Sequence, residues 1–528
     1  MSIPTGPLTL DASAEPDATS IENATPPATP GVERTSILRN VVWNWGGMGV
    51  ELCAGLVIAP YLVSRLGDAT YGLWIFIGSL TGYFGLLDLG VRGSVGRHVA
   101  LYRAQRNVAA LNATLSSGTA VLGAMACVVL LAAGAIGVWL PHLAAASASE
   151  ARTVLALSAA GLAAALVLNL FDATLWGYQR FDLLNKIDIV GVIFRVGATV
   201  AVVESGFGIV GLATVMLALT LLTGLVKAFT TFRVAPELRL AQRFVQRAMI
   251  RTLFGYASWN FARSMGRMAR TTVGPLAIGT LLGMSMLTPF SIAARLVAYE
   301  ALVIVAATGV LVPVSTALHA EASQRRQRKL LLEGGKHCFG LAVFFTVLFL
   351  LLGQPLLGLW MGVRFESAWQ LLAILAMGEF LPVSQQMTEA VLFGTARHQI
   401  LAVLSGIECV LVLALAWILM PTWQLTGACL ALALPAAFCR GLVPLVFSCR
   451  CLKVSLGEYI RRAVLPPLAV GLLPTVCLWL LVRTWPADTW MKLTACTAVF
   501  AMIFGLLWSR VFEDGWVPSK LRDLLAQR

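Results

Sequence analysis

The sequence predicts an all-α polytopic membrane protein: two pseudo-symmetric six-helix lobes followed by two further helices. Three observations predict it. Hydrophobic residues make up 58% of the chain and charged residues only 12%, about half the charge of a soluble domain, and the mean hydropathy is +0.81. Apolar runs of about 20 residues, the length that crosses the hydrocarbon core, recur to the C-terminus. Segments of the first half return in the second at a nearly constant offset.

Residues 1–36 are rich in Pro, Ala, Ser and Thr with scattered acids. They lack the basic stretch and apolar core of a signal peptide, so a disordered cytoplasmic tail is expected. Fourteen spans are then predicted, at 38–63, 71–90, 113–140, 152–174, 187–204, 208–229, 253–281, 288–317, 338–361, 367–393, 398–420, 424–447, 463–484 and 489–511. The expected division is an N-lobe over 37–230, a basic linker over 231–252, a C-lobe over 253–447, and spans 13 and 14 with a cytoplasmic tail over 448–528.

Span 1 carries Glu51 and ends in PYLVSRLGDATYGLW (60–74), a short outer turn. Span 2 ends in LLDLG (86–90), with Asp88 ahead of Arg92, Arg97, Arg103 and Arg106. Asp88 reads equally as a coupling carboxylate and as a partner for one of those arginines. Spans 3 and 4 are Ala-rich, which favours close helix packing. Span 4 leaves through DATLWGYQRFDLLNKID (172–188), and span 5 carries Arg195. After span 6, Arg239, Arg243, Arg247 and Arg251 recur every fourth residue, which predicts an interfacial helix on anionic headgroups.

Span 7 contains Arg263, Arg267 and Arg270. At about 100° per residue they fall within roughly 60° of one another. Arginines at that depth face a protein interior or a water-filled cavity. Guanidinium stays charged and grips phosphate oxygens bidentately, so the stripe predicts a path for an anionic substrate. The competing reading is a surface helix up to Arg270, but only the 13 residues 271–283 then remain, short of the ~20 a span needs. Span 8 carries Arg295 and Glu300, which read evenly as site groups and as a structural pair. The loop EASQRRQRK (321–329) is basic, span 10 holds Glu379 and Glu389, and span 11 holds Glu408. Spans 13 and 14 are uniformly apolar.

The formal net charge is +13, but its placement argues against nucleic acid. With the N-terminus inside, cytoplasmic loops and tails hold 29 of the 39 Lys and Arg, and outer loops hold five. That is the positive-inside bias, with both termini cytoplasmic. Of the ten cysteines only Cys449 and Cys451 lie close, and none is in an outer loop, so neither disulfides nor a metal site is expected. Walker, GxGxxG and HExxH patterns are absent. The outer loops are short and poor in His and acids, so a membrane polymerase or ligase is not expected, and no cofactor is.

The repeat sets DATLWGYQRFDLL (172–184) on EAVLFGTARHQIL (389–401) at an offset of 217. At 216, Leu66-Gly67 meets Leu282-Gly283, Trp74 meets Phe290 and Gly211 meets Gly427. Six helices separate the copies, so the lobes share orientation, and in such a design the substrate path lies between them. The repeat places the three arginines inside span 7 and sets Arg267 on Glu51. The expectation is that Glu51 and Arg267 attract one another across the cavity.

PYLVSRLGDATYGLW, LLDLG, the WGYQR turn, the six-six-two helix count and the cationic interior together resemble the Wzx-type polysaccharide flippases of the multidrug/oligosaccharidyl-lipid/polysaccharide exporter superfamily. The resemblance covers about 37–510. It implies a V-shaped two-lobe fold in the bacterial inner membrane; with two lobes in one chain, a monomer suffices. The implied substrate is an undecaprenyl-pyrophosphate-linked oligosaccharide, moved from the cytoplasmic to the periplasmic leaflet by alternating access coupled to a proton or sodium gradient. Arg263, Arg267, Arg270 and Arg295 are then expected at the pyrophosphate. Glu51, Asp88 and Glu300 are the coupling carboxylates to test. Expected partners are the lipid-linked glycan, anionic lipids and polysaccharide polymerase or assembly machinery. The alternatives are a lipid II flippase and a cation-coupled multidrug antiporter of the same fold.

Overall fold

The computed structural model describes residues 34–512 except 89, 140–147, 309–314, 316–317, 319–322, 396 and 398; for 34–45, 47–48, 86, 139, 255–271 and 307 it describes backbone only. The predicted N-terminal tail, but for its last residues, and the end of the C-terminal tail lie outside the described residues.

Every regular element among the described residues is helical. The first half comprises α1 (Arg34–Leu66), α2 (Asp68–Phe84), α3 (Val91–Ala104), α4 (Val108–Trp139), α5 (Ala148–Gly177), α6 (Phe181–Glu204) and α7 (Gly208–Val234). The second comprises α8 (Arg247–Leu281), α9 (Met284–Thr308), α10 (Gln324–Met361), α11 (Trp369–Ser384), α12 (Gln386–Gly394), α13 (Gln399–Ala436) and α14 (Val443–Cys451). Then come α15 (Leu456–Tyr459), α16 (Leu465–Thr484) and α17 (Trp490–Val511).

Among the described residues, ten helical runs are long and apolar enough to cross a membrane, so the protein is multi-pass. α2, at 17 residues, is not among them, nor is α6, which carries Asp188, Arg195 and Glu204. In α8 the stretch Thr272–Leu281, whose side chains are described, is apolar. The run Gln399–Cys451 counts once, yet α13 breaks at Gln424, where φ is 44° and ψ −124°, a conformation sterics disfavour for a residue with a Cβ.

The repeat is written into the backbone. Tyr178 N–H donates to Thr174 O, and Thr395 N–H donates to Val391 O, both at 2.9 Å. Two residues on, Arg180 donates to Leu175 O and Arg397 to Leu392 O. Both pairs sit at the predicted offset of 217. At 216, Asn107 donates to Tyr102 O and Ser323 to Leu318 O. Gly67 (φ 76°) and Gly283 (φ 98°) end α1 and α8 in the left-handed region, which costs a residue without Cβ little.

One expectation fails. Residues 235–246 do not form an interfacial helix; they run extended with a single 3-10 turn at Gln242–Phe244. The cause is tertiary. Side chains of α4 take the backbone donors a helix would have used: Asn112 Oδ1 accepts from Arg239 N–H at 2.7 Å, Ser116 Oγ from Ala241 and Ser117 Oγ from Gln246. Helical charge spacing is a weak prior against satisfied backbone partners.

The halves meet at one end of the bundle. There Thr288 Oγ1 donates to Asp68 O at 2.7 Å, Arg364 Nη2 lies 3.3 Å from Asp68 Oδ1, and Trp360 Nε1 donates to Leu56 O at 2.7 Å. One apolar core at this end draws on both halves, with Leu62, Tyr71 and Phe76 from one and Leu287, Phe290 and Met361 from the other. At the opposite end the cores are separate. Val95, Leu111, Leu170 and Leu238 pack in the first half, and Leu331, Phe339, Val391 and Tyr459 in the second. Among the described residues the lobes therefore share a core at the end that carries Asp68 and keep separate cores at the other.

Helix α8 runs between these regimes. Its start, through Met249 and Leu253, packs in the first lobe's separate core, and Ile278 near its end packs in the shared one. Its 35 residues span about 52 Å at about 1.5 Å each.

Candidate functional site

The three arginine positions of the predicted stripe, 263, 267 and 270, lie on α8 between its two packed ends. Their side chains lie outside the described residues, and with them the expected Glu51–Arg267 attraction. Glu51 itself is exposed on α1, as are Cys53 and Val57 on the same helix.

Arg295 is half-buried on α9 at the contact between lobes. Its Nη1 would lie 4.0 Å from a Cβ on Gly55 of α1, and Tyr299 Oη only 2.1 Å from it. Glycine at 55 is what lets these side chains reach α1. Asp88 sits in the 3-10 turn before α3, where its Oδ1 accepts from Arg92 N–H at 3.3 Å. The Arg92 guanidinium turns instead to Asp172, so Asp88 caps a helix start. The structural pair of Arg295 with Glu300 does not form: both Glu300 carboxylate oxygens are buried without a hydrogen-bond partner.

Among the described residues, each lobe holds a partly buried charge network. In the first, Asp172 on α5 is bound by Arg92 of α3 and by Lys227 Nζ of α7 at 2.8 Å, and Lys227 also meets Asp188 Oδ1 of α6 at 2.8 Å. Two carboxylates face two cations, and the set balances. In the second, Arg440 Nε donates to Glu408 Oε1 at 2.9 Å and Nη1 to Glu379 Oε2 at 2.8 Å, while Nη2 bonds Glu379 Oε1. Glu300 is on α9, whose next turns pack through Ala301 and Ile304 on Phe380 and Val383 of α11, the helix that carries Glu379. Only 2% of Glu300 is exposed.

Arg440 was missed from the sequence, where it was counted with the cytoplasmic basic residues. Its position inside the span predicted at 424–447 was the available signal. It stands on a π-helical turn, Ala437–Leu442, a distortion that often marks functional sites.

The WGYQR turn proves to be a packing device. A Cβ on Gly177 would lie 2.9 Å from Gly96 O, Arg103 Nη1 donates to Tyr178 O at 2.8 Å, and Tyr178 Oη donates to Glu237 at 2.7 Å. The turn thus fastens α5 to α3 and the linker. Arg180 closes on Asp182 of the next turn at 3.0 Å and holds its carboxyl below the usual range.

Two lobes of apolar helices, joined at one end, are a fold shared with solved membrane transporters. An inward-facing MATE-family multidrug resistance transporter of the MOP superfamily matches 76% of this chain and 94% of its own at a TM-score of 0.64 and 15% identity. The lipid II flippase MurJ in an inward closed conformation matches 90% of this chain and 99% of its own, at 0.67 and 10%. The chain belongs to the polysaccharide biosynthesis protein family, whose sequence profile matches residues 95–370, more than half of its length. A Shigella flexneri protein described as an O-antigen transporter is 32% identical over 68 residues, 13% of this chain. The match spans only 16% of that relative.

Proposed function

We propose that this protein is a flippase for an undecaprenyl-pyrophosphate-linked oligosaccharide, an O-antigen or exopolysaccharide repeat unit. It moves the lipid from the cytoplasmic to the periplasmic leaflet of the bacterial inner membrane by ion-coupled alternating access. The observation that carries the reading is the course of α8, whose arginine-bearing stretch runs from the parted lobes toward the shared core. A pyrophosphate carries close to two negative charges, and Arg263, Arg267 and Arg270, with Arg295 on α9, offer charge-assisted hydrogen bonds to it. Family membership and the polysaccharide relative agree in substrate class.

The basic bias makes the parted end cytoplasmic and the joined end, with Asp68 and Arg364, outer. The headgroup enters between the parted lobes while the prenyl chain stays in lipid. The lobes then rock, and the Asp68 end opens. Because each state must bind and release, the coupling group has to change the relative stability of the two states. The test is reconstitution: purified protein in liposomes should expose a pyrophosphate-linked short glycolipid on the far side faster than empty liposomes do. Equal rates under an imposed proton or sodium gradient would overturn the reading. Flipping of lipid II in place of the glycolipid would move the substrate to peptidoglycan precursors.

A further inference from the structure

We propose that the cavity inside the first lobe, between α2, α5 and α7, is a sugar subsite: it takes one ring of the carried glycan, with Arg195 of α6 holding an anionic group beside that ring. This rests on the flippase reading above and names where the glycan, rather than its lipid, is recognised.

The cavity has a volume of about 270 Å³, just below the ~300–1,000 Å³ of drug-sized sites, which suits a single ring. Trp74, Gly78 and Thr81 line it from α2, Ser158 and Leu162 from α5, and Thr220 from α7. Small residues open it. A Cβ on Gly78 would meet nothing within 4 Å, and one on Gly161 would lie 3.8 Å from Leu217 Cα. The second lobe closes the corresponding place. At the repeat offset of 217, Leu162 falls on Glu379 and Thr223 on Arg440, and that arginine and glutamate bond one another. A leucine and a threonine cannot form that pair, and in the first lobe the space stays open.

The lining matches a sugar better than a lipid chain. A sugar ring offers C–H groups to an aromatic face and hydroxyls at its edge. Among the described residues, neither the Trp74 indole N–H nor the Ser158 hydroxyl has a hydrogen-bond partner. Enclosed polar groups ordinarily find one, so both are open to ligand oxygens. Thr81 Oγ1 donates to Ile77 O at 2.9 Å and Thr220 Oγ1 to Met216 O at 2.8 Å, which leaves each oxygen able to accept from a hydroxyl. A prenyl or acyl chain would use none of these four groups.

Arg195 stands at the edge of this space. Asp188 Oδ1 lies 2.8 Å from Lys227 Nζ, a Cβ on Gly191 would lie 3.0 Å from Thr223, and one on Gly211 would lie 2.3 Å from Val202. These contacts run α6 antiparallel to α7 and bring Arg195 level with Leu219 and Thr220. Arg195 lies within roughly 60° of Asp188, Gly191 and Val202 around α6, so it is on the side that meets α7. Val190, Ile193 and Phe194 are exposed on the far side. Arg195 is nevertheless exposed, and among the described residues it has no ion pair or hydrogen bond. An arginine at this depth, turned to the protein, faces a water-filled space, and its fork binds carboxylate or phosphate. Two sources supply an anion next to a sugar ring: a carboxylate on the sugar itself, and the pyrophosphate to which the first sugar is joined.

The test is saturation-transfer NMR on the full chain in lipid nanodiscs, with methyl glucuronide, glucose 1-phosphate and methyl glucoside as probes. At least one anionic probe should take more saturation from wild type than methyl glucoside does. It should lose that signal in Gly78→Leu, which fills the cavity, and bind about tenfold more weakly in Arg195→Gln, the loss of a charge-assisted hydrogen bond. If Gly78→Leu does not insert, Ser158→Ala should weaken binding of every probe. A preference for methyl glucuronide assigns the anion to the sugar, and a preference for glucose 1-phosphate assigns it to the pyrophosphate. Binding that survives Gly78→Leu, or no preference for either anionic probe, overturns the proposal. Sugar binding as expected in protein that flips no glycolipid supports the subsite and sinks the flippase reading. Flipping by protein that binds no probe does the reverse.

Discussion

Gly72 of α2 lies against the backbone carbonyl of Met284 on α9, so close that a Cβ at 72 would come within 1.8 Å of that oxygen. The contact joins the lobes, and no side chain can yield to relieve it. Gly72→Ala should force the joined end apart. Hydrogen exchange over residues 284–290 should then rise, whereas the same substitution at Gly78, which meets nothing within 4 Å, should leave it unchanged. Equal exchange in both variants would remove α2–α9 contact as the closure.

Two polar contacts at the same end should differ in weight. Thr288 is fully buried, and its hydroxyl donates to Asp68 O, a bond worth about 1 kcal/mol. The Arg364–Asp68 pair is half exposed and is worth roughly 0–1 kcal/mol. Thr288→Val should lower Tm in detergent more than Arg364→Ala does. The reverse order would mean that the ion pair, not the buried hydroxyl, holds the end.

Arg440→Gln should be among the most damaging single changes. It removes the guanidinium that bonds Glu408 and Glu379, and breaking a buried pair from one side costs about 3–5 kcal/mol. Adding Glu379→Gln and Glu408→Gln should restore much of the lost Tm. No recovery would show that Arg440 acts through packing.

The linker conformation rests on α4. Asn112→Ala removes the acceptor of Arg239 N–H, at a cost of about 1–3 kcal/mol for a donor left unpaired. Tryptic cleavage after Arg239 and Arg243 should quicken. An unchanged rate would mean that the linker is held by Leu238 and Ala235 in the apolar core.

Much of the fold was legible because it is written locally. Leu-Gly at 66–67 and 282–283 reads as a helix stop, and the structure finds both glycines at positive φ. The WGYQR and FGTAR turns share backbone hydrogen bonds at the predicted offset of 217. What stayed hidden depends on distant partners. The linker's four-residue charge spacing suggested a helix, and nothing near Arg239 in sequence says that Asn112, 127 positions earlier, takes its N–H. Likewise Arg440 meets Glu408 and Glu379 across 32 and 61 residues. Its charge reads as a topology signal until three helices are set side by side. Glu300 was singled out as an intramembrane acid, but its lack of a partner could be seen only once its neighbours were placed.

The most direct test of the central claim is flipping by the wild type against a variant with Arg263, Arg267 and Arg270 changed to Gln, both inserted in liposomes to equal amounts. The account predicts that wild type moves the pyrophosphate-linked glycolipid across and that the variant does not. Equal flipping by the two would contradict it, and would leave the stripe on α8 a structural feature.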